Sequence, residues 1–153
     1  MQAHQKTSCN RYLSTMKRFT VFLFLSFAGL MPACRKEAQF IPVVPVNFSI
    51  DLTLPAYFDL TVPTGWIYVS GGSRGIIIYR KSESEFIALD RHSTYNVEDN
   101  CQVVVSDDNI VIEDPCSDSE WIIIDGSVQS GPASLPLQQY NTQYSPPFLY
   151  VYN

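Results

Sequence analysis

Phe86-Ile87-Ala88-Leu89-Asp90-Arg91 opens the stretch that decides how this chain folds, and Gly131-Pro132-Ala133-Ser134-Leu135-Pro136 closes it. Between them lie a polar loop over 92–100, Cys101-Gln102-Val103-Val104-Val105, a turn at Asp107-Asp108-Asn109 and Ile110-Val111-Ile112. A second polar run, Glu113-Asp114-Pro115-Cys116-Ser117-Asp118-Ser119-Glu120, leads through Trp121 into Ile122-Ile123-Ile124 and Asp125-Gly126. Short apolar runs bounded by Asp, Asn and Gly predict antiparallel strands joined by hairpins.

The same grammar extends outward. Upstream, Asn47-Phe48-Ser49-Ile50-Asp51-Leu52-Thr53-Leu54 alternates polar with apolar, which predicts a strand with one buried face. Ala56-Tyr57-Phe58-Asp59-Leu60 reads as its short continuation, ended by Pro63-Thr64-Gly65. Trp66-Ile67-Tyr68-Val69 is the next strand, and 75–80 pairs with 85–89 across Lys81-Ser82-Glu83-Ser84. Gly71-Gly72-Ser73-Arg74-Gly75 is a turn: a phosphate-binding loop ends in Lys-Ser/Thr before a helix, whereas Ile76-Ile77-Ile78-Tyr79 follows here. Downstream, Phe148-Leu149-Tyr150-Val151-Tyr152 is expected to return beside the first strand, its aromatic residues closing the core. Tyr, Phe, Ile and Val are plentiful and long amphipathic helical patterns are missing, so the fold class is all-β.

The N-terminal segment carries an address. Met16-Lys17-Arg18, an apolar run over 19–30 and Met31-Pro32-Ala33-Cys34 have the three-part form of a bacterial export signal. A small residue before Cys34 resembles a lipobox, at which Cys34 is lipidated. A plain cleaved signal and an uncleaved anchor are the alternatives, although the run falls short of the ~20 residues of a spanning helix. Met16 reads as the natural start, so His4 and Cys9 would lie outside the protein. The expected organisation is an extension and signal over 1–33, a lipidated Cys and tether over 34–45, and one β domain over 46–153. From Cys34 onward, six basic residues face all fifteen acidic ones, a net charge near −9. That balance repels phosphate backbones and excludes nucleic acid as a partner. The expected partners are the membrane, held through the lipid, and an envelope protein.

The layout of 86–136 resembles the cluster-binding half of the Rieske family. There, an Asp-Arg-like strand end leads to a first loop with C-x-H, a hairpin, a second loop with C-x-x-H-G-S-x-F and a Gly-Pro-Ala proline loop. The resemblance implies a small antiparallel β-sandwich or barrel with an inserted two-loop subdomain. Gly131, Pro132 and Ala133 lie over the proline loop, and 114–121 lies over the second loop. Carried across, the four ligand positions of the 2Fe-2S cluster fall at Ser93, Tyr95, Asp114 and Ser117, and none matches. A Rieske centre takes two Cys on one iron and two His on the other, whereas His92 is the one histidine after Cys34. The family cofactor is therefore expected to be lost.

Cys116 lies where many family members place one half of a disulfide joining the loops, and Cys101 is its expected partner. In an exported chain the two remaining cysteines pair most often. The closed loop of about 15 residues contributes roughly 3 kcal/mol in the chain-entropy model, against a total of about 5–15 kcal/mol for a domain. His92 with Asp90, Asp114 and Cys116 offers a Zn²⁺ set on residue type alone; the bland reading makes His92 an exposed loop residue or a partner of nearby backbone. Asp90-Arg91 reads as a brace at the strand end. A Ser93–His92–Asp90 relay lacks a nucleophile-elbow motif, and Asp107-Asp108 and Glu98-Asp99 read as turn-formers and solvated faces. The sequence thus points to a non-enzymatic envelope lipoprotein with a structural or protein-binding role. A Rieske-type electron carrier with non-standard ligands and an adhesin-like or carbohydrate-binding sandwich stand as the alternatives.

Overall fold

A computed structural model describes residues 40–153; the expected signal segment and Cys34 lie outside the described residues. The organising pair is the hairpin of β3 (Ile76–Arg80) and β4 (Phe86–Asp90), in which every residue is buried. Side chains alternate across a strand, so a strand buried throughout must be covered on both faces. The register Ile76↔Asp90, Ile77↔Leu89, Ile78↔Ala88, Tyr79↔Ile87 sorts them. Ile76, Ile78, Phe86 and Ala88 enter one core; Ile77, Tyr79, Ile87 and Leu89 enter another. This explains the unbroken Ile76-Ile77-Ile78 run.

The first core is enclosed by a curled six-stranded sheet. Around the hairpin lie β1 (Asn47–Asp51), β2 (Trp66–Val69), β9 (Gln139–Ser145) and β10 (Phe148–Tyr152), in the order β1-β10-β9-β4-β3-β2. Strand β9 joins the halves, pairing with β4 at Gln139 and Tyr140 and with β10 from Asn141 to Ser145. As the sequence predicts, β10 lies antiparallel beside β1. The second core is capped by a small four-stranded meander of β5 (Val104–Val105), β6 (Val111–Glu113), β7 (Glu120–Ile122) and β8 (Val128–Ser130). Val103, Ile112, Trp121, Ile123 and Leu137 fill it. The all-β antiparallel expectation holds, with the two-loop subdomain resting on one face of the β3–β4 hairpin.

The differences are local. Residues 56–60 do not continue the first strand but form part of a 3-10 helix, Pro55–Thr61. Asp51 ends β1 by accepting from the Thr53 N–H and hydroxyl at 2.9 and 2.7 Å, and Pro55 suits a first helical position. The helix end is held by buried Arg80, which donates to the Leu60 and Thr61 carbonyls at 2.9 and 2.8 Å. Strands β8 and β9 go unread in the sequence because their runs are polar. Strand β10 divides: Leu149 and Val151 close the core, while Phe148, Tyr150 and Tyr152 face outward. Among the described residues no helix is long and apolar enough to cross a membrane.

Because Leu89 is fully buried in the second core on the strand that serves both, Leu89→Ala should lower stability by about 2–5 kcal/mol. Equilibrium urea unfolding followed by Trp fluorescence measures it.

Candidate functional site

Two loops meet above the second core. The first leaves β4 at Asp90 and returns at Val103; the second spans the β6–β7 turn around Cys116. Cys101 and Cys116 form a disulfide between them, with Cα atoms 6.2 Å apart. The family-derived pairing is the one observed.

Asp114 sits beneath the disulfide, 4 % exposed. Its Oδ2 accepts from the Ser93 hydroxyl at 2.7 Å and the Ser117 hydroxyl at 2.8 Å, and its Oδ1 accepts from the Cys116 N–H at 3.0 Å. Ser93, Asp114 and Ser117, three of the positions singled out in the sequence, are thus bonded to one another. Tyr95, the fourth, packs against the second core. A buried carboxylate is costly unless hydrogen-bonded, and here hydroxyl and amide donors from both loops supply that need.

The Gly131-Pro132-Ala133 segment completes the enclosure. The Ala133 N–H donates to the buried Ser119 hydroxyl at 3.1 Å, and the Leu135 carbonyl accepts from Thr94 at 2.7 Å and Trp121 Nε1 at 3.0 Å. A Cβ on Gly131 would lie 2.0 Å from the Asp118 carbonyl oxygen, and its φ is +86°. Only glycine fits so close to the second loop.

His92 is not an exposed loop residue; it is 1 % exposed. Its Nε2 lies 2.9 Å from the Val97 carbonyl, an acceptor only, so Nε2 carries the proton. Nδ1 faces the Ser73 hydroxyl at 2.7 Å. The backbone-partner reading is therefore the correct half of the expectation. Ser93 turns to Asp114 rather than to His92, so no Ser93–His92–Asp90 relay forms.

Asp90 is wholly buried, and among the described residues it forms no ion pair. It accepts from Ser73 N–H at 2.6 Å, His92 N–H at 2.7 Å, Arg74 N–H at 3.3 Å and the Tyr140 hydroxyl at 2.6 Å. A Cβ on Gly72 would fall 2.3 Å from its Oδ2, which explains the glycine turn that the sequence shows. Burial first, then the hydrogen bond and charge of Asp90, push the Tyr140 phenol well above its ordinary value. Arg91 turns away, stacking 3.6 Å over the Tyr68 ring and donating to the Val103 carbonyl at 3.0 Å. The pair braces the loop base, each residue separately. Sequence reading missed Ser73 and Tyr140, because nothing in a Gly-rich turn or a polar strand announces a shared carboxylate.

Metal-ligating chemistry can be tested on these residues. Among the described residues, Cys101, Asp114 and Cys116 bring ligand atoms within 4.8 Å of one another, a different trio from the His92–Asp90–Asp114–Cys116 set, since His92 and Asp90 are engaged elsewhere. A two-Cys, two-His iron pair does not fit. The described cysteines are bonded to each other, His92, the one imidazole among the described residues, is engaged at both nitrogens, and Asp114 bonds Ser93 and Ser117.

A scan of protein-family models gives no match, nor does a search of curated proteins. Among solved structures, the domain is similar to the cyanobacterial plasma membrane Rieske protein PetC3 from Synechocystis PCC 6803: TM-score 0.52 and 25% identity over 71% of this chain and 99% of that one. The ferredoxin of carbazole 1,9a-dioxygenase from Nocardioides aromaticivorans IC177 aligns at TM-score 0.47 and 14% identity, covering 71% and 96%. A complex of reduced oxygenase and oxidized ferredoxin in carbazole 1,9a-dioxygenase aligns at 0.47 and 18%, covering 72% and 94%.

Asp114→Ala, which removes the acceptor shared by the Ser93 and Ser117 hydroxyls and the Cys116 N–H, should cost about 1–3 kcal/mol, read by chemical denaturation under non-reducing conditions. Tyr140 sets an alkaline limit. Its phenol is raised in the folded state, so its stabilisation is complete below the ordinary tyrosine value of about 10 and is lost as pH rises through the folded value. Unfolding free energy between pH 8 and pH 11 should fall less in Tyr140→Phe than in the wild type; equal falls would remove Tyr140 as the source.

Proposed function

We propose that this chain, whose fold is Rieske-like, uses that fold without an iron–sulfur cluster, as a non-enzymatic, lipid-anchored domain of the bacterial cell envelope. Its role is structural or protein-binding, with the tip formed by the two loops as the contact surface. The observation that carries the reading is the closure of that tip: Ser93, Asp114 and Ser117 satisfy one another at 2.7 and 2.8 Å, beside the Cys101–Cys116 disulfide. A rigid scaffold presenting crosslinked loops suits a recognition role. Exposed Glu98, Asp99 and Asp118 on those loops favour a basic patch on the partner. Anchoring would rest on a lipidated Cys34, since an acidic domain gains nothing from anionic head groups and multiple acyl chains hold stably where one does not.

A second reading, one-electron transfer through non-standard ligands, draws on the likeness to PetC3 and on the Cys101–Asp114–Cys116 trio. It requires both cysteines reduced and Asp114 released from its serines.

Iron and acid-labile sulfide analysis of anaerobically purified full-length chain separates the two, together with low-temperature EPR after dithionite. The cluster-free reading expects a colourless protein with neither element above trace. Near-stoichiometric iron and sulfide, with a signal, would falsify it.

A further inference from the structure

The outer face of β1, β10 and β9 differs in composition from the rest of the domain. Along β10, Leu149 and Val151 are fully buried, while Phe148, Tyr150 and Tyr152 remain 40, 42 and 40 % exposed. The register sets Asp51, Ser49 and Asn47 of β1 opposite these rings on one side. Ser145, Gln143 and Asn141 of β9 stand opposite them on the other. Directly opposed residues of antiparallel strands share a face. The result is a row of three rings, about 14 Å from first to third at ~3.4 Å per residue, flanked on both sides by short amides, hydroxyls and one carboxylate.

Charge has been cleared from this surface. From Gly126 to Asn153 there is no Asp, Glu, Lys, Arg or His, whereas all but one of the fifteen acidic residues fall within 40–125. Asp51, the one charged residue on these three strands, is engaged by the Thr53 N–H and hydroxyl. An anionic ligand would meet no cation on these three strands. A wholly apolar partner would bury the flanking amides and hydroxyls without hydrogen bonds, which costs each of them its hydration. A neutral chain with alternating C–H and hydroxyl edges matches both parts of the surface, C–H faces on the rings and hydroxyls against Asn47, Ser49, Asn141 and Gln143.

We propose that the β1–β10–β9 face binds an extended neutral glycan, with Phe148, Tyr150 and Tyr152 as the stacking row. This site shares no residue with the crosslinked loops and holds whether or not those loops carry a cluster.

The test is native affinity electrophoresis of the purified full-length chain through gels containing a soluble β-glucan, a mannan or starch. Retardation is expected in at least one gel. Tyr150→Ala should weaken it at least about tenfold, or ~1.4 kcal/mol, whereas Tyr150→Trp should largely retain it. Unchanged thermal unfolding would show that each variant is folded, and Tyr152→Ala serves as the second variant. Free migration in all three gels overturns the proposal, as does retardation indifferent to both Ala variants. A dimer dispersed by Tyr150→Ala, or phosphatidylcholine-vesicle binding weakened by it, in either case without glycan retardation, assigns the face to another occupant and also overturns it.

Discussion

A buried carboxylate between two loops needs donors from both, and that requirement at Asp114 fixes the end of this molecule. Ser93 reaches it from the first loop, Ser117 and the Cys116 amide from the second. Each bond is directional and leaves little freedom in how the loops approach. The disulfide adds a covalent limit beside it, while Ser119 ties in Ala133 and Thr94 ties in Leu135 just beyond. Where a metal would hold two loops by ligation, hydroxyl, amide and carboxylate groups hold these two by hydrogen bonds. Such a network is costly if half-made and specific if complete; here every buried side-chain polar atom among the described residues is partnered.

That end is carried by the β3–β4 hairpin, which serves two cores at once. Its buried face toward the meander positions Val103, Ile112 and Trp121, and with them the strands from which the loops emerge. At its end, Asp90 gathers the 71–74 turn, the His92 backbone and Tyr140 of β9 into one buried point. The six-stranded sheet and the loop base are joined there by hydrogen bonds.

What the sequence reveals follows from how local each cause is. Strands β1, β2, β3, β4 and β10 are legible because their apolar residues alternate or run unbroken between turn residues. Strand β9 is not, since Gln139, Asn141 and Gln143 face solvent and only Tyr140 and Tyr144 signal an inner side. The 3-10 helix at Pro55–Thr61 is hidden because its residues suit a strand equally well; the Asp51 turn decides. The disulfide and the missing ligands are readable through the family resemblance. That Ser93, Asp114 and Ser117 would bond one another is a matter of three dimensions, as is the burial of His92. The outward aromatic row on β10 escapes notice for a related reason: alternating apolar residues look like core whichever face is covered.

The central claim is that protein groups, not metal, close the two loops. Crystals of the full-length chain grown under anaerobic conditions, with diffraction recorded above and below the iron absorption edge, address it most directly. The account predicts no anomalous peak near Ser93, Asp114 and Ser117, with hydroxyl-to-carboxylate distances close to 2.7 Å and 2.8 Å. A pair of iron peaks between the loops, with those side chains drawn apart, would contradict it.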